Sequence, residues 1–334
     1  MVEINRESLQ KALGGMFSAP IKDVSYTAEL MRGGTVGEVV RVSGEARTEE
    51  KKHPFSLVVK TQREWLRHGD PDCWKREYCI YEQNLENELL ATIKLPRCFL
   101  LEKSEGLTRI WMEFVEGKTG SRQLHADELA LAACRLGELQ AGFHLSGSRG
   151  LPYLRAYPAV QSSYDLWSKR MMPLLQKEID GFPDRLRNIL CDYAACAKDL
   201  LGSFSALPQT LCHGDVHHDN LIFRDEDGET AIYLIDWDSA GYGHMGEDAV
   251  DVLMEAFVYS DRDVLLLPEF REKIISGYCK GAKSRGLDFV MGEPLVRELF
   301  ALAWGFRIAD LFLYYKEDAS RKRCIEIMSA MLTR

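Results

Sequence analysis

The stretch from Leu211 to Asp238 reads LCHGDVHHDNLIFRDEDGETAIYLIDWD and combines a polar cluster with two apolar runs. The apolar runs, 221–223 and 231–235, flank a polar turn around Gly228, a pattern typical of two short strands joined as a hairpin. The polar side chains come just before the first strand and just after the second. The sequence therefore predicts that a tight ribbon brings three of them into one small site: Asp215, Asn220 and Asp236.

Three kinds of chemistry are compatible with this cluster. In phosphoryl transfer, Asp215 would accept the proton of the attacking hydroxyl, while Asn220 and Asp236 would hold Mg²⁺ against the nucleotide phosphates. In a metal-dependent hydrolase, nitrogen and oxygen ligands would hold Zn²⁺. The candidates for that site are His213, His217, His218, Asp215 and Asp219. In the third interpretation, the polar side chains only satisfy the backbone of their own loop.

Two segments of this stretch, HGDVHHDN and LIDWD, together resemble the catalytic segment of the aminoglycoside phosphotransferase and choline kinase superfamily. Its pattern is H-G-D-x-x-x-x-N followed by I-D-[FWY]-[DE], and the match continues through AGYG to Asp248. The resemblance implies that Asp215 is the catalytic base and that Asn220 and Asp236 are metal ligands. It also implies that His213 is a structural residue of the loop and that Asp248 braces it.

The same resemblance implies an architecture and a set of cofactors. Members of this superfamily are small-molecule kinases with a protein-kinase-like fold, so we expect an α+β bilobal chain. An N-terminal lobe with an antiparallel sheet and one main helix would bind the nucleotide, and a larger, mostly helical C-terminal lobe would bind substrate and carry catalysis. We place these lobes at residues 1–115 and 116–334. The implied cofactors are ATP, or GTP, and Mg²⁺, whereas Asp238 matches a variable acidic position without an assigned role.

The composition excludes some partners. The chain has 334 residues, 46% of them apolar, a net charge of −9 and a pI near 5.5, and no basic stripe that would favour a nucleic acid. No apolar run approaches the length of a membrane span, so we expect a cytoplasmic protein without a membrane partner. Nine cysteines without a C-x-x-C pair predict reduced, buried thiols. The oligomeric state stays open.

A glycine-rich turn separates the first two predicted strands. The chain opens with a predicted helix over Asn5–Leu13, and the segment from Val24 to Arg41 then reads as two strands around the turn GGTVG. Glycines there would let backbone N–H groups approach phosphates, so Gly34 and Gly37 are candidate nucleotide contacts. An ordinary hairpin turn explains the same residues.

Lys60 lies at the end of the next predicted strand, Phe55–Thr61. A lysine there often only reaches solvent, but kinases use a lysine at this place to contact the phosphates and a helical glutamate to hold it. The segment from Cys73 to Leu85 has the apolar spacing of such a helix. By resemblance Glu77 is the partner of Lys60, and Glu82 is the alternative if the helix has the other phase.

A second nucleotide contact is predicted where the first lobe ends. Strands over Arg97–Leu101 and Thr108–Val115 lead into MEFVEG, which resembles the hinge of kinase-like folds. There, backbone groups meet the adenine edge and apolar side chains enclose its ring. The candidate residues are Glu113, Phe114 and Val115. A plain strand that ends in a turn would look the same.

The rest of the chain reads as helices. We predict them over 126–144, 166–179, 183–201, 248–258, 268–285, 294–315 and 321–332, with loops over 153–164 and 239–247. The helix 294–315 carries many aromatic residues, which favour a core position but would also enclose a quaternary amine. Among them are Trp304, Phe306, Phe312, Tyr314 and Tyr315. An aminoglycoside would instead require exposed carboxylates such as Asp310, Glu317 and Asp318.

The acceptor is therefore predicted only as a small hydroxylated molecule: an aminoglycoside-like antibiotic, a choline-like amino alcohol or another metabolite. We interpret His217 and His218 as a solvated loop pair, with a role in the acceptor pocket as the alternative. Two other functions stay open, a metal-dependent hydrolase centred on the histidines and a nucleotide-binding protein without catalysis.

Overall fold

The computed structural model describes residues 4–31, 37–67, 70–84, 93–147, 153–155 and 158–333. Contacts group the described residues into two compact units. One unit contains those within Met1–Leu89, Lys94–Gly117 and Arg224–Asp238, and the other those within Leu90–Ile93, Lys118–Phe223 and Ser239–Arg334. The lobe boundary predicted between residues 115 and 116 stays a prediction.

The N-terminal part of the chain is rich in strands. Its elements are α1 (Arg6–Phe17), β1 (Asp23–Leu30), β2 (Glu38–Arg47), β3 (Lys52–Arg63), α2 (Cys73–Glu82), β4 (Ile93–Lys94), β5 (Cys98–Ser104) and β6 (Leu107–Glu113). Strands β1, β2, β3, β6 and β5 form an antiparallel sheet in that order. The predicted strands and both helices are thus confirmed, although β3 is longer than expected and the predicted helix residue Leu85 lies outside the described residues.

Helix α1, which ends at Phe17 rather than at Leu13, packs on the core of this sheet. Leu9 and Leu13 on α1 pack against Val42 and Leu57 from the sheet, and all four side chains are fully buried. Burying an aliphatic side chain of this size contributes about 1.5–3 kcal/mol. In this sheet Lys60 pairs with Ile110 on β6, so its strand position is set by registers on both sides.

The remainder of the chain is mostly helical. Its elements are α3 (Ala126–Ser146), α4 (Ala159–Leu175), α5 (Asp184–Phe204), β7 (Gln209–Cys212), β8 (Leu221–Glu226), β9 (Glu229–Leu234), β10 (Gly241–His244), α6 (Glu247–Val258), α7 (Leu267–Ser284), α8 (Glu293–Phe300), α9 (Phe306–Tyr314) and α10 (Asp318–Leu332). The predicted hairpin strands are β8 and β9, which form a sheet in the order β4, β9, β8. No helix among the described residues combines the length and the apolarity that a membrane crossing needs.

Three predictions about this region were wrong. The predicted loop 153–164 contains the first turns of α4, because Pro158 immediately precedes the helix as its N-cap residue. The predicted loop 239–247 contains β10, whose glycine-rich sequence GYGH pairs with β7. The predicted helix 294–315 is interrupted by a π-helical segment, Ala301–Gly305.

The burial of side chains also corrects two expectations. All nine cysteines are free thiols, but the prediction that they are buried holds only for Cys73, Cys79, Cys212 and Cys324; four others are half-buried, and Cys196 is exposed on α5. Of the aromatic residues in the last long helical region, Trp304, Phe306 and Phe312 belong to the core as expected, whereas Tyr314 is 74% exposed.

Candidate functional site

The β-rich unit holds a lysine between two carboxylates. The Lys60 amine donates to Asp236 Oδ1 at 2.6 Å and to Glu77 Oε2. Glu77 is fully buried on α2, so of the two candidate glutamates it is the one that contacts Lys60. Burial alone would lower the pKa of Lys60, but the negative charges of Asp236 and Glu77 outweigh it and raise this pKa above its ordinary value. Lys60 therefore stays charged throughout the physiological pH range.

The backbone at Asp236 is held in an unusual conformation. Asp236 follows β9 and has a φ angle of +64°, in the left-handed region that costs a non-glycine residue free energy. The next residue, Trp237, is buried and its indole donates to Leu234 O at 2.8 Å. This turn directs the chain away from β9 directly after Asp236, whose side chain is 32% exposed.

Two arginines hold Asp238, a residue for which the sequence indicated no role. Arg67 donates to both carboxylate oxygens of Asp238, at 2.7 and 2.6 Å, and Arg76 donates to its backbone carbonyl. Arg76 is buried and also donates to Asp70 at 2.7 Å. Neither arginine was predicted from the sequence, and no local motif indicates them because Arg67 and Asp238 lie 171 positions apart.

The predicted hinge is partly engaged within its own unit. The Glu113 N–H already donates to Arg97 O at 2.9 Å, and the Glu113 carboxylate accepts from Arg224 at 2.8 Å. The guanidinium of Arg41 lies 3.8 Å from the ring centroid of Phe114. The Glu113 N–H is thus already used within this unit. Of the predicted glycine contacts, Gly37 precedes β2, whereas Gly34 lies outside the described residues.

The loop after β7 belongs to the helical unit, and Asp248 holds it in place. The Asp248 carboxylate accepts from His213 N at 2.8 Å, from Gly214 N at 3.0 Å and from Gln140 Nε2 at 2.7 Å. Burial raises the pKa of Asp248 to about 6, against the lowering effect of the two backbone donors. The bracing role that the resemblance implied for Asp248 thus corresponds to actual contacts, and His213 is buried as a structural residue would be.

The loop conformation depends on Gly214, which has a φ angle of +75°. A Cβ atom there would lie 2.9 Å from Ser239 O, closer than real Cβ atoms approach an oxygen. Further along the loop, Asn220 Nδ2 donates to Asp215 O at 2.9 Å, and His217 N donates to the same carbonyl at 3.1 Å. The structure therefore brings Asp215 and Asn220 together within one compact turn.

The histidines of this loop behave differently from each other. His218 is buried and its carbonyl accepts from Gly120 N at 3.0 Å, so the prediction of a solvated pair was wrong for His218. Burial lowers the pKa of His218, which keeps its imidazole neutral. Half-buried His217 accepts from Asp219 N at 3.3 Å. Among the described residues, no three His, Cys, Asp or Glu side chains are grouped so that they could hold a metal ion, and the histidine-centred zinc site has no such ligand cluster.

Comparisons with known proteins agree with the motif. The model of a family described as "Phosphotransferase enzyme family" matches residues 53–290, well over half of the chain. Ethanolamine kinase 1 of Mus musculus is 28% identical over 120 residues, which are 35% of this chain and 32% of that protein. The chain thus matches only about a third of the length of this curated relative.

Two solved structures share the fold over nearly the whole chain. A microcompartment-associated aminopropanol kinase has a TM-score of 0.57 at 15% identity, covering 98% of this chain and 95% of the other. The GDP and kanamycin complex of APH(2″)-IIia has a TM-score of 0.56 at 14% identity, covering 98% of each chain. These similarities confirm the predicted α+β, protein-kinase-like fold.

Proposed function

The chain belongs to the phosphotransferase enzyme family, and from this premise we propose that it transfers the terminal phosphoryl group of ATP or GTP to a hydroxyl group of a small molecule. The observation that carries the proposal is the charged Lys60 amine held by Glu77 and Asp236. Kinases need a lysine oriented in this way to bind the phosphates. We extend the proposal to the two lobes, with residues 1–115 binding nucleotide and residues 116–334 carrying catalysis and the acceptor.

Each polar residue has a role in this proposal. Lys60 binds phosphate oxygens, and Glu77 orients its amine. Asp215 accepts the proton of the acceptor hydroxyl as the oxygen of that hydroxyl bonds to the terminal phosphorus. The bond from that phosphorus to the bridging oxygen breaks, and the nucleoside diphosphate leaves with its electron pair. Backbone groups of Glu113, Phe114 and Val115 contact the base, and Gly34 and Gly37 lie along the phosphates.

The donor atoms of Asn220 and Asp236 fit a magnesium ion, because Mg²⁺ prefers carboxylate and amide oxygens. Asn220 Nδ2 already donates to its own loop, which leaves Oδ1 as the ligand atom. The partly exposed carboxylate of Asp236 would supply the second ligand. When bound, the cation would neutralise charge on the phosphate oxygens.

The acceptor we propose is a hydroxylated amine. The similar proteins include an ethanolamine kinase, an aminopropanol kinase and a kinase-like structure with bound kanamycin, and all three compounds carry amines beside hydroxyl groups. The net charge of −9 also favours a cationic acceptor, because a negative protein attracts positively charged molecules.

The proposal is tested by an ATP- and GTP-consumption screen against aminoglycosides, macrolides, choline-like amines, amino alcohols and sugars. We expect turnover that requires both an acceptor and Mg²⁺.

Asp215→Ala should lower kcat by about 10²- to 10⁴-fold, because a general base contributes that much, and should leave nucleotide affinity near that of the wild type. Asp219→Ala removes an exposed carboxylate from the same loop and is the matched control. Wild-type turnover by Asp215→Ala would refute the assigned role.

A further inference from the structure

The backbone on both sides of the proposed base is held by helix α6. The two residues before Asp215 donate their backbone N–H groups to Asp248, as described above. Val216, the residue after it, donates its N–H to Asp251 Oδ2 at 2.8 Å. Asp248 and Asp251 are three positions apart on α6 and therefore lie on one face of the helix. The position of Asp215 thus depends on how firmly these two carboxylates are themselves held.

Hydrogen bonds link Asp248 to helices α3 and α7. Gln140 on α3 donates from Nε2 to Asp248 Oδ2 at 2.7 Å, and Tyr278 on α7 donates its hydroxyl hydrogen to Gln140 Oε1. The same hydroxyl oxygen accepts from Gly246 N at 3.0 Å. Tyr278, Gln140 and Asp248 form a buried relay, in which water cannot replace a hydrogen-bond partner that is lost.

The donors and acceptors fix the direction of each bond in the buried relay. A backbone N–H can only donate, so the bond from Gly246 leaves the Tyr278 hydroxyl hydrogen for Gln140 Oε1. Burial raises the pKa of Tyr278, which keeps that hydrogen in place. Because its oxygen is engaged, Gln140 turns its Nε2 toward Asp248, and the same nitrogen donates its second hydrogen to Leu211 O at 3.2 Å. The Asp248 carboxylate thus receives an N–H from α3 in addition to the two from the loop.

Close packing of α3 against α7 lets the buried relay form. A Cβ atom at Gly137 on α3 would overlap Tyr278 O, and one at Gly281 on α7 would overlap Cys134 O. Glycine at these two positions therefore allows the two helix backbones to touch. Gly137 lies three positions before Gln140, about one helical turn, so the helices are closest near the point where the Tyr278 hydroxyl meets Gln140.

We propose that Tyr278 and Gln140 are positioning residues for phosphoryl transfer: they hold Asp248, which in turn holds the loop that carries Asp215. This inference rests on the proposed function, since it adds two residues to the machinery of the same reaction. Loss of either residue leaves the charges and ligand groups of the site in the chain but displaces the base. A displacement of about 1 Å costs up to about 10²-fold in rate.

The first test is Tyr278→Phe, which removes the hydroxyl and keeps the aromatic ring. With the best acceptor from the screen, we expect kcat to fall by about 10- to 100-fold and KM for the nucleotide to stay near that of the wild type. KM is retained because the nucleotide contacts assigned to Lys60 and Glu77 do not belong to the buried relay. Rates are expressed per nucleotide-binding site, counted by calorimetric titration, so that unfolded protein does not lower the measured kcat. An unchanged kcat would overturn the inference.

Tyr164→Phe is the matched control. Tyr164 lies on α4 in the same unit, and its half-buried hydroxyl donates to Ala194 O at 3.5 Å. The substitution removes the same atom as Tyr278→Phe but from a hydrogen bond outside the buried relay, so kcat should stay near that of the wild type. An equal fall in kcat in both variants would show that the relay has no special role and would overturn the inference.

A double-mutant cycle tests whether Tyr278 acts through Gln140. Gln140→Leu alone should lower kcat at least as much as Tyr278→Phe, because it removes the donor to Asp248 directly. The variant with both changes should then be no slower than Gln140→Leu. Effects that multiply in the double variant would indicate two independent roles and would overturn the inference.

Hydrogen exchange measures the loop itself and separates this inference from the proposed function. The amides of His213 and Gly214 are the groups that Asp248 engages, and mass spectrometry of the peptide that contains both follows their exchange. We expect exchange to be about tenfold faster, the scale of one hydrogen bond, in Tyr278→Phe but not in Tyr164→Phe. If the wild type phosphorylates no acceptor, the proposed function fails, while faster exchange still supports the positioning of the loop. Unchanged exchange in Tyr278→Phe would overturn the inference whether or not the enzyme turns over.

Discussion

Lys60 Nζ lies 2.6 Å from Asp236 Oδ1, although 176 positions separate the two residues in the chain. Glu77 holds the same amine from α2, so two carboxylates orient one cation in a largely buried place. Leaving either carboxylate unpaired there would cost free energy, which keeps the three side chains together. Protein groups alone thus orient the amine, a condition under which electrostatic stabilisation is most effective.

Replacement of Lys60 by Met should lower kcat/KM for the nucleotide by about 10²-fold or more, since an oriented donor to a charged group contributes on this scale. Glu77→Gln should have a smaller effect, because Asp236 still holds the amine. Lys52→Met is the matched control: Lys52 lies on the same strand, is well exposed and pairs with Glu45. Steady-state kinetics with varied ATP measure all three, and an unaffected Lys60→Met enzyme would contradict the assigned role.

The bidentate pair between Arg67 and Asp238 should contribute to stability. We expect a double-mutant cycle with Arg67→Met and Asp238→Asn to give a coupling free energy of about 1–2 kcal/mol, because both side chains are largely buried. Urea denaturation of the four proteins measures it. The exposed pair between Lys22 and Glu49 is the control and should show no measurable coupling. Equal coupling in both pairs would show that burial does not strengthen the first.

Gly214→Ala should destabilise the protein by about 2 kcal/mol or more, since the new Cβ atom adds a contact with Ser239 O to the cost of the positive φ angle. Gly228 has a φ angle of +88° with no atom near its missing Cβ, so Gly228→Ala should pay only the conformational cost of about 1 kcal/mol. Chemical denaturation gives both values. A loop that tolerates alanine at 214 as well as at 228 would show that Ser239 moves aside.

Patterns within short windows of the sequence predicted much of this fold. The apolar run in β3, the hairpin around Gly228 and the spacing of α3 each depend on neighbours along the chain. The family resemblance favoured Glu77 over Glu82, and the contact between Lys60 and Glu77 agrees with that choice. By contrast, β10 was missed because a glycine-rich segment has a low strand propensity and depends on its pairing with β7.

The distant contacts of the charged residues could not be predicted in this way. Arg67, Asp251 and Arg307 acquire their partners only when segments far apart in the chain pack together. The family pattern identified Asp248. The three groups that donate hydrogen bonds to its carboxylate, however, come from α3 and from the loop after β7. A local sequence pattern can identify a functional residue, but the contacts of that residue depend on the tertiary packing.

Buried Glu255 should make stability depend on pH in the neutral range. Its folded-state pKa of about 9 lies above the ordinary value of 4.5, because burial and the charges of Asp251, Asp215 and Asp219 outweigh Arg307. The folded protein therefore holds the proton more tightly than the unfolded chain. The contribution of this group is fully present below about pH 4.5 and is lost as the pH rises toward 9.

We therefore expect Glu255→Gln to become progressively more stable than the wild type between pH 6 and pH 8, by up to about 2.7 kcal/mol over these two units. Glutamine keeps the shape of the side chain without the ionisation that the buried position disfavours. Urea denaturation at several pH values measures the difference in the free energy of unfolding. Glu272→Gln, which changes an exposed glutamate on α7, should retain the slope of the wild type. A pH-independent difference between Glu255→Gln and the wild type would show that Glu255 titrates alike in the folded and unfolded states.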